Sequence, residues 1–168
     1  YMTKVALDAR IIDPKAEEYD GGKVALCAEK IIEINKANPG TAQAVFCDTN
    51  TPKKDAFSVY QALRDRLVRS GEFTENEIAF VHDAANDKQR LAMFEKVNNA
   101  EIKIIIGSTG KLGTGVNIQR KLSALHHLDA PYRPSDIEQR NGRGIRQGNE
   151  NSEVYIGYYS TKGTFDNY

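Results

Sequence analysis

The chain has 168 residues, of which 40% are hydrophobic and 27% are charged, and these values fit one ordinary globular domain. Its 23 basic and 23 acidic residues cancel, which excludes a general polyanion-binding protein and leaves only a local patch for nucleic acid. No apolar run approaches the roughly 20 residues of a membrane span and no signal peptide is visible, so we expect a cytoplasmic protein without membrane contact. Cys27 and Cys47 form no metal-binding pattern and are predicted to be buried thiols.

Residues 1–21 are predicted to be a lead-in segment to a domain at 22–168. An apolar stretch in the lead-in ends at Pro14, which stops any helix there. The first predicted elements of the domain are a helix at 23–38, a strand at 42–48 and a helix at 56–70, from their apolar periodicity.

The remaining chain continues the alternation of strands and helices. Further strands are predicted at 78–82, 102–106, 122–128 and 153–159. Asn86 is predicted to cap the third helix, with Gln89 three residues later. His126 and His127 alternate faces of one strand, so we expect at most one to be buried. Short connections and right-handed crossovers predict a three-layer α/β/α fold around a mainly parallel sheet of five to six strands.

A loop rich in Gly, Ser and Thr follows the strand at 102–106. Backbone N–H groups and hydroxyls at the carboxyl end of a parallel strand suit phosphate ligands. The pair Gly110-Lys111 suggests a P-loop, but residue 106 is Ile and Leu112 follows the lysine, so the required motif is absent. A purely structural turn is the alternative interpretation.

A second candidate site is a short basic helix. Ser135 and Glu138 have capping-box spacing, which predicts that the helix starts there. Gln139, Arg143 and Arg146 then fall on one helical face. Two guanidinium groups on one face suit phosphate oxygens, although a solvated basic face has the same pattern.

Several motifs resemble those of one family. Residues 139–148 resemble the last motif of superfamily-two helicases and translocases, Gln-x-x-x-Arg-x-x-Arg-x-Gly, especially in the Swi/Snf-type branch. Residues 107–118 resemble the family's Ser-Thr-x-x-Gly-Gly-x-Gly-x-Asn motif, with Leu112 replacing the first glycine. Residues 129–134 resemble its Asp-x-x-Trp-x-Pro segment, with Tyr132 as the aromatic residue.

The resemblance implies the second RecA-like motor domain of an ATP-driven DNA translocase or helicase, as a fragment of a larger protein. It implies three groups of site residues: arginine fingers at Arg143 and Arg146, nucleotide contacts at Gln139, Gly113, Gly115 and Asn117, and nucleic-acid contacts at Ser108, Thr109 and Lys111. ATP and Mg²⁺ would be bound mainly by a first RecA-like domain of the same polypeptide, which this chain lacks. We therefore expect the fragment to be inactive alone and its polynucleotide to be double-stranded DNA.

Other functions stay open at this stage. A processive unwinding helicase carries the same motifs, and a phage or mobile-element protein could fuse such a motor to an adenine methylase. A non-catalytic α/β binding module could retain the fold without the reaction. An ordinary doubly wound nucleotide-binding enzyme is disfavoured, because residues 48–51 do not have the Gly-x-Gly-x-x-Gly pattern after the first strand.

Overall fold

The computed structural model describes residues 7–13, 15–112, 116–129, 134–142 and 147–159. Across these ranges the strands are β1 Ala42–Phe46, β2 Ile78–Phe80, β3 Ile104–Gly107, β4 Leu122–His127 and β5 Tyr155–Tyr158. The α-helices are α1 Lys23–Ala37, α2 Val59–Arg69, α3 Asp87–Asn98, α4 Thr109–Leu112 and α5 Pro134–Asn141. Short 3₁₀ helices lie at Ala9–Ile11, Glu75–Glu77 and Val81–Asp83.

The strands form one parallel sheet in the order β2-β3-β1-β4-β5. The first strand in the sequence is therefore at the centre, where Val45 pairs with Ile106 on one side and His126 on the other. Every residue of β1, β3 and β4 is buried, as expected for a parallel sheet that is covered on both faces. This architecture confirms the predicted α/β fold.

One apolar cluster covers each face of the sheet. On one face Val45 packs with Ile31 of α1 and Leu63 of α2, all fully buried. On the other face, Phe46 packs in a cluster with Phe94 of α3. Because neighbouring strand residues point to opposite faces, the adjacent positions Val45 and Phe46 supply both layers of the core.

Both histidines of β4 are buried, so the prediction that at most one would be buried is wrong. His126 and His127 have exposed fractions of 0% and 2%. They do point to opposite faces, but each face is covered by a packed layer. The ring of His126 contacts Gln43 Oε1 at 2.7 Å and the hydroxyl of Tyr159 at 2.6 Å.

The helix ends agree with the sequence in most places. The side chain of Asn86 accepts a hydrogen bond from the N–H of Gln89 at 2.9 Å, which confirms the predicted cap of α3. The predicted helix start at Ser135 is confirmed to within one residue, because α5 begins at Pro134. Ser135 therefore lies in the first turn and not at the N-cap position that a capping box requires. Proline is favoured at this first helical position because it has no N–H to leave unpaired.

Part of the predicted glycine-rich loop is the short helix α4. It packs directly on the end of β3, where a Cβ atom on Gly107 would lie only 3.1 Å from the Cβ of Leu112 and from Cγ2 of Val81. Glycine at this position therefore allows the chain to turn back closely. The predicted strand at 78–82 is shorter than expected, because Val81–Asp83 forms a 3₁₀ turn.

The described part of the lead-in packs against the domain. Leu7 is 2% exposed and belongs to the core cluster that includes α1 and α2. Glu18 forms ion pairs with Arg66 at 2.8 Å and Arg69 at 2.9 Å. The domain boundary at residue 22 remains a prediction. None of the described helices has the length and apolar character needed to cross a membrane.

Candidate functional site

The candidate site lies at the carboxyl edge of the sheet. Asp48 follows β1, Thr109 follows β3, and Asp129 follows β4. The side chain of Arg140 enters from α5 and is 0% exposed. Ligands of open α/β sheets bind at this edge, so the cluster lies where the function of the fold is expected.

Arg140 uses all five of its N–H donors inside the protein. Its Nη2 donates to Asp48 Oδ2 at 2.9 Å and to Asp129 Oδ1 at 3.1 Å. Its Nε donates to Thr109 Oγ1 at 2.8 Å. Its Nη1 donates to His127 Nδ1 at 3.2 Å and to the Asp129 carbonyl at 3.1 Å. A buried charge is tolerated when it is paired and hydrogen-bonded in this way.

The two carboxylates also hold the surrounding backbone. Asp129 Oδ2 accepts the N–H groups of Asp48 and Thr49, each at 2.8 Å. Asp48 accepts the N–H of Thr109 at 2.6 Å and its hydroxyl at 2.9 Å. The cluster thus fixes the ends of β1, β3 and β4 to one another and to α5.

His127 in this cluster is neutral. Burial lowers its pKa, and the charge of Arg140 lowers the pKa further. Because Nδ1 accepts from Arg140, Nε2 carries the proton and donates to Asn141 Oδ1 at 2.8 Å. A second residue of α5 is therefore oriented by the end of β4.

The predicted nucleic-acid contacts differ in exposure. Lys111 is exposed and Ser108 is half-buried, with the hydroxyl of Ser108 accepting the N–H of Lys111 at 3.3 Å. Thr109 is 7% exposed, and Asp48 accepts both its N–H and its hydroxyl. Ser108 and Lys111 thus face the surface, whereas Thr109 belongs to the buried cluster.

The predicted nucleotide contacts are only partly described. Gln139 is half-buried on α5, and Asn117 is exposed with its carbonyl accepting the side-chain amide of Asn98 at 2.8 Å. The other four residues predicted for the nucleotide, Gly113, Gly115, Arg143 and Arg146, lie outside the described residues.

Sequence reasoning missed the cluster around Arg140. The sequence motifs assigned no function to Arg140 or to Asp48. A usable signal was present, because Asp48 and Asp129 each follow an apolar strand at its carboxyl end. Asp129 is 2% exposed, and a buried carboxylate requires a cation as partner. The side chain of Asp48, which is 38% exposed, shares that cation.

Residues 23–148 match the family described as the helicase conserved C-terminal domain. The chain belongs to this family. Over 154 residues it is 44% identical to "Defense against restriction protein B" of Escherichia phage P1, and the match covers 87% of this chain. The chain spans only 7% of that relative's length.

Solved structures of helicases and related ATPases share the fold of this helicase C-terminal domain. The C-terminal part of the Fun30 ATPase domain has a TM-score of 0.66 at 17% identity, with 90% of this chain and 45% of that chain covered. The helicase MrfA bound to DNA has a TM-score of 0.61 at 15% identity, covering 83% and 18%. Dbp5 of S. cerevisiae bound to RNA and ADP BeF3 has a TM-score of 0.59 at 19% identity, covering 83% and 32%. The family match confirms the expectation of a helicase C-terminal domain, and these similarities confirm its fold.

Proposed function

We propose that the chain is the second motor domain of an ATP-dependent DNA translocase of the Swi/Snf type. The observation that carries this proposal is the buried Arg140, which joins the loop after β3 to the helix that precedes Arg143 and Arg146. The loop carries the predicted nucleic-acid contacts and the helix leads to the predicted nucleotide contacts. A motor needs such a connection, because binding at one site must change the geometry of the other.

The nucleotide of the proposed motor is ATP. Arg140 has no N–H left for a ligand, so Arg143 and Arg146 supply the positive charge for the γ-phosphoryl group. ATP provides the phosphoryl group whose transfer to water drives the motor. Among the described residues, no group of three or more His, Cys, Asp or Glu side chains is arranged to hold a metal ion, and we assign Mg²⁺ to the first motor domain. We assign the further nucleotide contacts to Gln139, Gly113, Gly115 and Asn117.

The nucleic-acid side of the domain lies around α4. Ser108 and Lys111 contact phosphates of double-stranded DNA, independently of sequence. The donors of Thr109 are engaged by Asp48, so its contribution to this contact is to fix the position of the loop. A strand-displacement assay on the full-length protein separates unwinding, which releases a strand, from translocation, which does not.

We extend the proposal to a long phage-type polypeptide. Its support is the 44% identity to a phage protein whose name assigns it to defence against restriction. In that setting the motor moves along DNA and brings it to another activity of the same polypeptide, such as a methylase. Mass spectrometry of the native full-length protein and a methyl-transfer assay test this extension, which fails if no transfer occurs.

The test of the motor is DNA-stimulated ATPase activity of the full-length protein. Arg143→Ala and Arg146→Ala should each lower turnover by about 10³- to 10⁵-fold, the usual contribution of arginine fingers, while ATP binding remains. Arg120→Ala is the matched control, because Arg120 is an exposed arginine. Unchanged turnover in both finger variants would show that this domain takes no part in the reaction. It would instead support a non-catalytic binding module with a helicase-like fold.

The isolated chain provides a second test. It should show no ATP turnover, because the proposal assigns the triphosphate-binding residues and Mg²⁺ ligands to the other motor domain. Turnover by the purified 168-residue chain that is abolished by Arg143→Ala would contradict the assignment.

A further inference from the structure

Tyr158 is an exposed aromatic residue with a fixed orientation. It is the last residue of β5, and 59% of its surface is accessible. Its ring is parallel to that of His127, with 4.6 Å between the centroids and 3° between the planes. On the inner side, His127 stacks on Phe46 at 6.1 Å. Three rings therefore form a column from the core to the surface, and Tyr158 is its outer member.

The column is held by the same residues that organise the site. His127 is oriented by hydrogen bonds with Arg140 and Asn141. The Asn141 amide also donates to the hydroxyl of Tyr158 at 3.3 Å. The ring of Tyr158 is thus backed by a neutral, buried imidazole and tied to the end of α5. A flat ligand that stacks on it meets a surface that requires little ordering on binding.

We propose that Tyr158 stacks on the base of the nucleotide bound in the motor cleft. This inference rests on the proposed function, and it assigns the base-binding surface of that site. Asn141, which contacts Tyr158, precedes Arg143 by two residues, so the ring lies beside the helix that leads to the phosphate contacts. An aromatic face binds a purine mainly through its π surface.

The sheet order favours the base of a bound nucleotide, and not a base of the nucleic acid, as the group that stacks on Tyr158. Ser108 and Lys111 follow β3, whereas Tyr158 ends β5, and the strands between them are β1 and β4. At about 4.8 Å between neighbouring strands, the two positions are roughly 14 Å apart. The nucleic-acid contacts and the aromatic column therefore lie on different parts of the same edge.

The experiment compares ATP with inorganic tripolyphosphate, which lacks a base, as ligands of the full-length protein. Tyr158→Ala should raise the dissociation constant of ATP about 5- to 100-fold, the range expected for a lost base–aromatic stack. The inhibition constant of tripolyphosphate should not change. Tyr158→Phe retains the ring and should bind ATP like the unaltered protein.

Tyr155→Ala is the matched control for Tyr158→Ala. Tyr155 is an exposed tyrosine of the same strand, but it lies at the amino end and contacts His126 on the opposite face. Its replacement should leave both ligands unaffected. The inference is overturned if Tyr158→Ala leaves ATP affinity unchanged, weakens both ligands equally, or weakens only DNA binding. If Arg143→Ala still abolishes turnover in any of those cases, the motor proposal stands and only the stacking assignment fails.

Discussion

The guanidinium of Arg140 lies 2.9 Å from the carboxylate of Asp48, although 92 residues separate them in the sequence. This contact joins the end of the central strand to the helix that precedes the proposed arginine fingers. Asp48 also holds the first residue of α4. A shift of α4 on nucleic-acid binding would therefore act on α5 by two routes, through the shared Asp48 carboxylate and through the direct hydrogen bond from Arg140 Nε to Thr109 Oγ1.

Arg140→Ala should destabilise the domain by about 3–5 kcal/mol, because removing one partner of a buried pair leaves the other charge without compensation. Urea denaturation of the chain measures this loss. Arg120→Ala is the comparison, since Arg120 is exposed and its ion pair with Glu95 spans 4.0 Å. That variant should change the free energy of unfolding by less than about 0.5 kcal/mol. Equal effects of the two variants would show that Arg140 does not hold the site together.

The buried His126 should make the domain less stable in mild acid. Burial lowers the pKa of His126 from 6.5 to about 3. The unfolded chain binds a proton near pH 6.5 while the folded chain does not, so stability is lost as the pH falls below the unfolded pKa. From pH 7 to pH 5 this histidine alone should cost about 2 kcal/mol.

Denaturation of His126→Gln at pH 7 and pH 5 checks this expectation. The variant should lose less stability between the two pH values than the unaltered chain. His82→Gln is the control, because His82 is only half-buried and its pKa is lowered without the same degree of burial. A pH dependence that is identical in the chain and in His126→Gln would contradict the assignment of a neutral buried ring.

The lead-in should contribute to the stability of the domain. Leu7→Ala removes a core side chain that is 2% exposed and should cost about 2–5 kcal/mol. Leu91→Ala is the matched control, because Leu91 is 67% exposed on α3. Thermal denaturation of both variants distinguishes them. If Leu7→Ala and Leu91→Ala have the same melting temperature, the lead-in does not contribute to the stability of the fold.

The cap of α3 should have a smaller, local effect. Asn86→Ala removes the side-chain oxygen that accepts the N–H of Gln89 and should cost about 1 kcal/mol. Asn86→Asp retains an acceptor and adds a negative charge at the helix N-terminus, which is favourable. The midpoint in urea should therefore fall for Asn86→Ala and stay or rise for Asn86→Asp.

Features encoded by local sequence were predictable. The cap at Asn86 depends on residues within three positions, and the helix at Lys23–Ala37 follows from its own apolar spacing. The strands at Ala42–Phe46 and Ile104–Gly107 follow from short apolar runs after turns. Alternation of these elements was sufficient to predict a parallel sheet, because its crossovers have one favoured hand.

Features that depend on distant partners were missed. Arg140 is 0% exposed only because Asp48 and Asp129 lie within hydrogen-bond distance, and the charge of an arginine gives no sign of such partners in a single sequence. His126 and His127 were misjudged for a related reason, since burial of both depends on layers formed by other parts of the chain. Ser108 lies near the surface and Thr109 in the interior because the short helix α4 begins there. The glycine-rich sequence predicted a loop at this position and gave no indication of a helix.

The central position of β1 has a consequence for how the protein is made. β1 is the first of the strands to be synthesised, whereas its neighbours β3 and β4 are synthesised only after α2 and α3. Until they emerge, this buried central strand has two open edges that can pair with another chain. Pairing of distant segments also folds slowly. The nascent domain is therefore a natural client for chaperones, and its yield should depend on them more than on the stability of the finished fold.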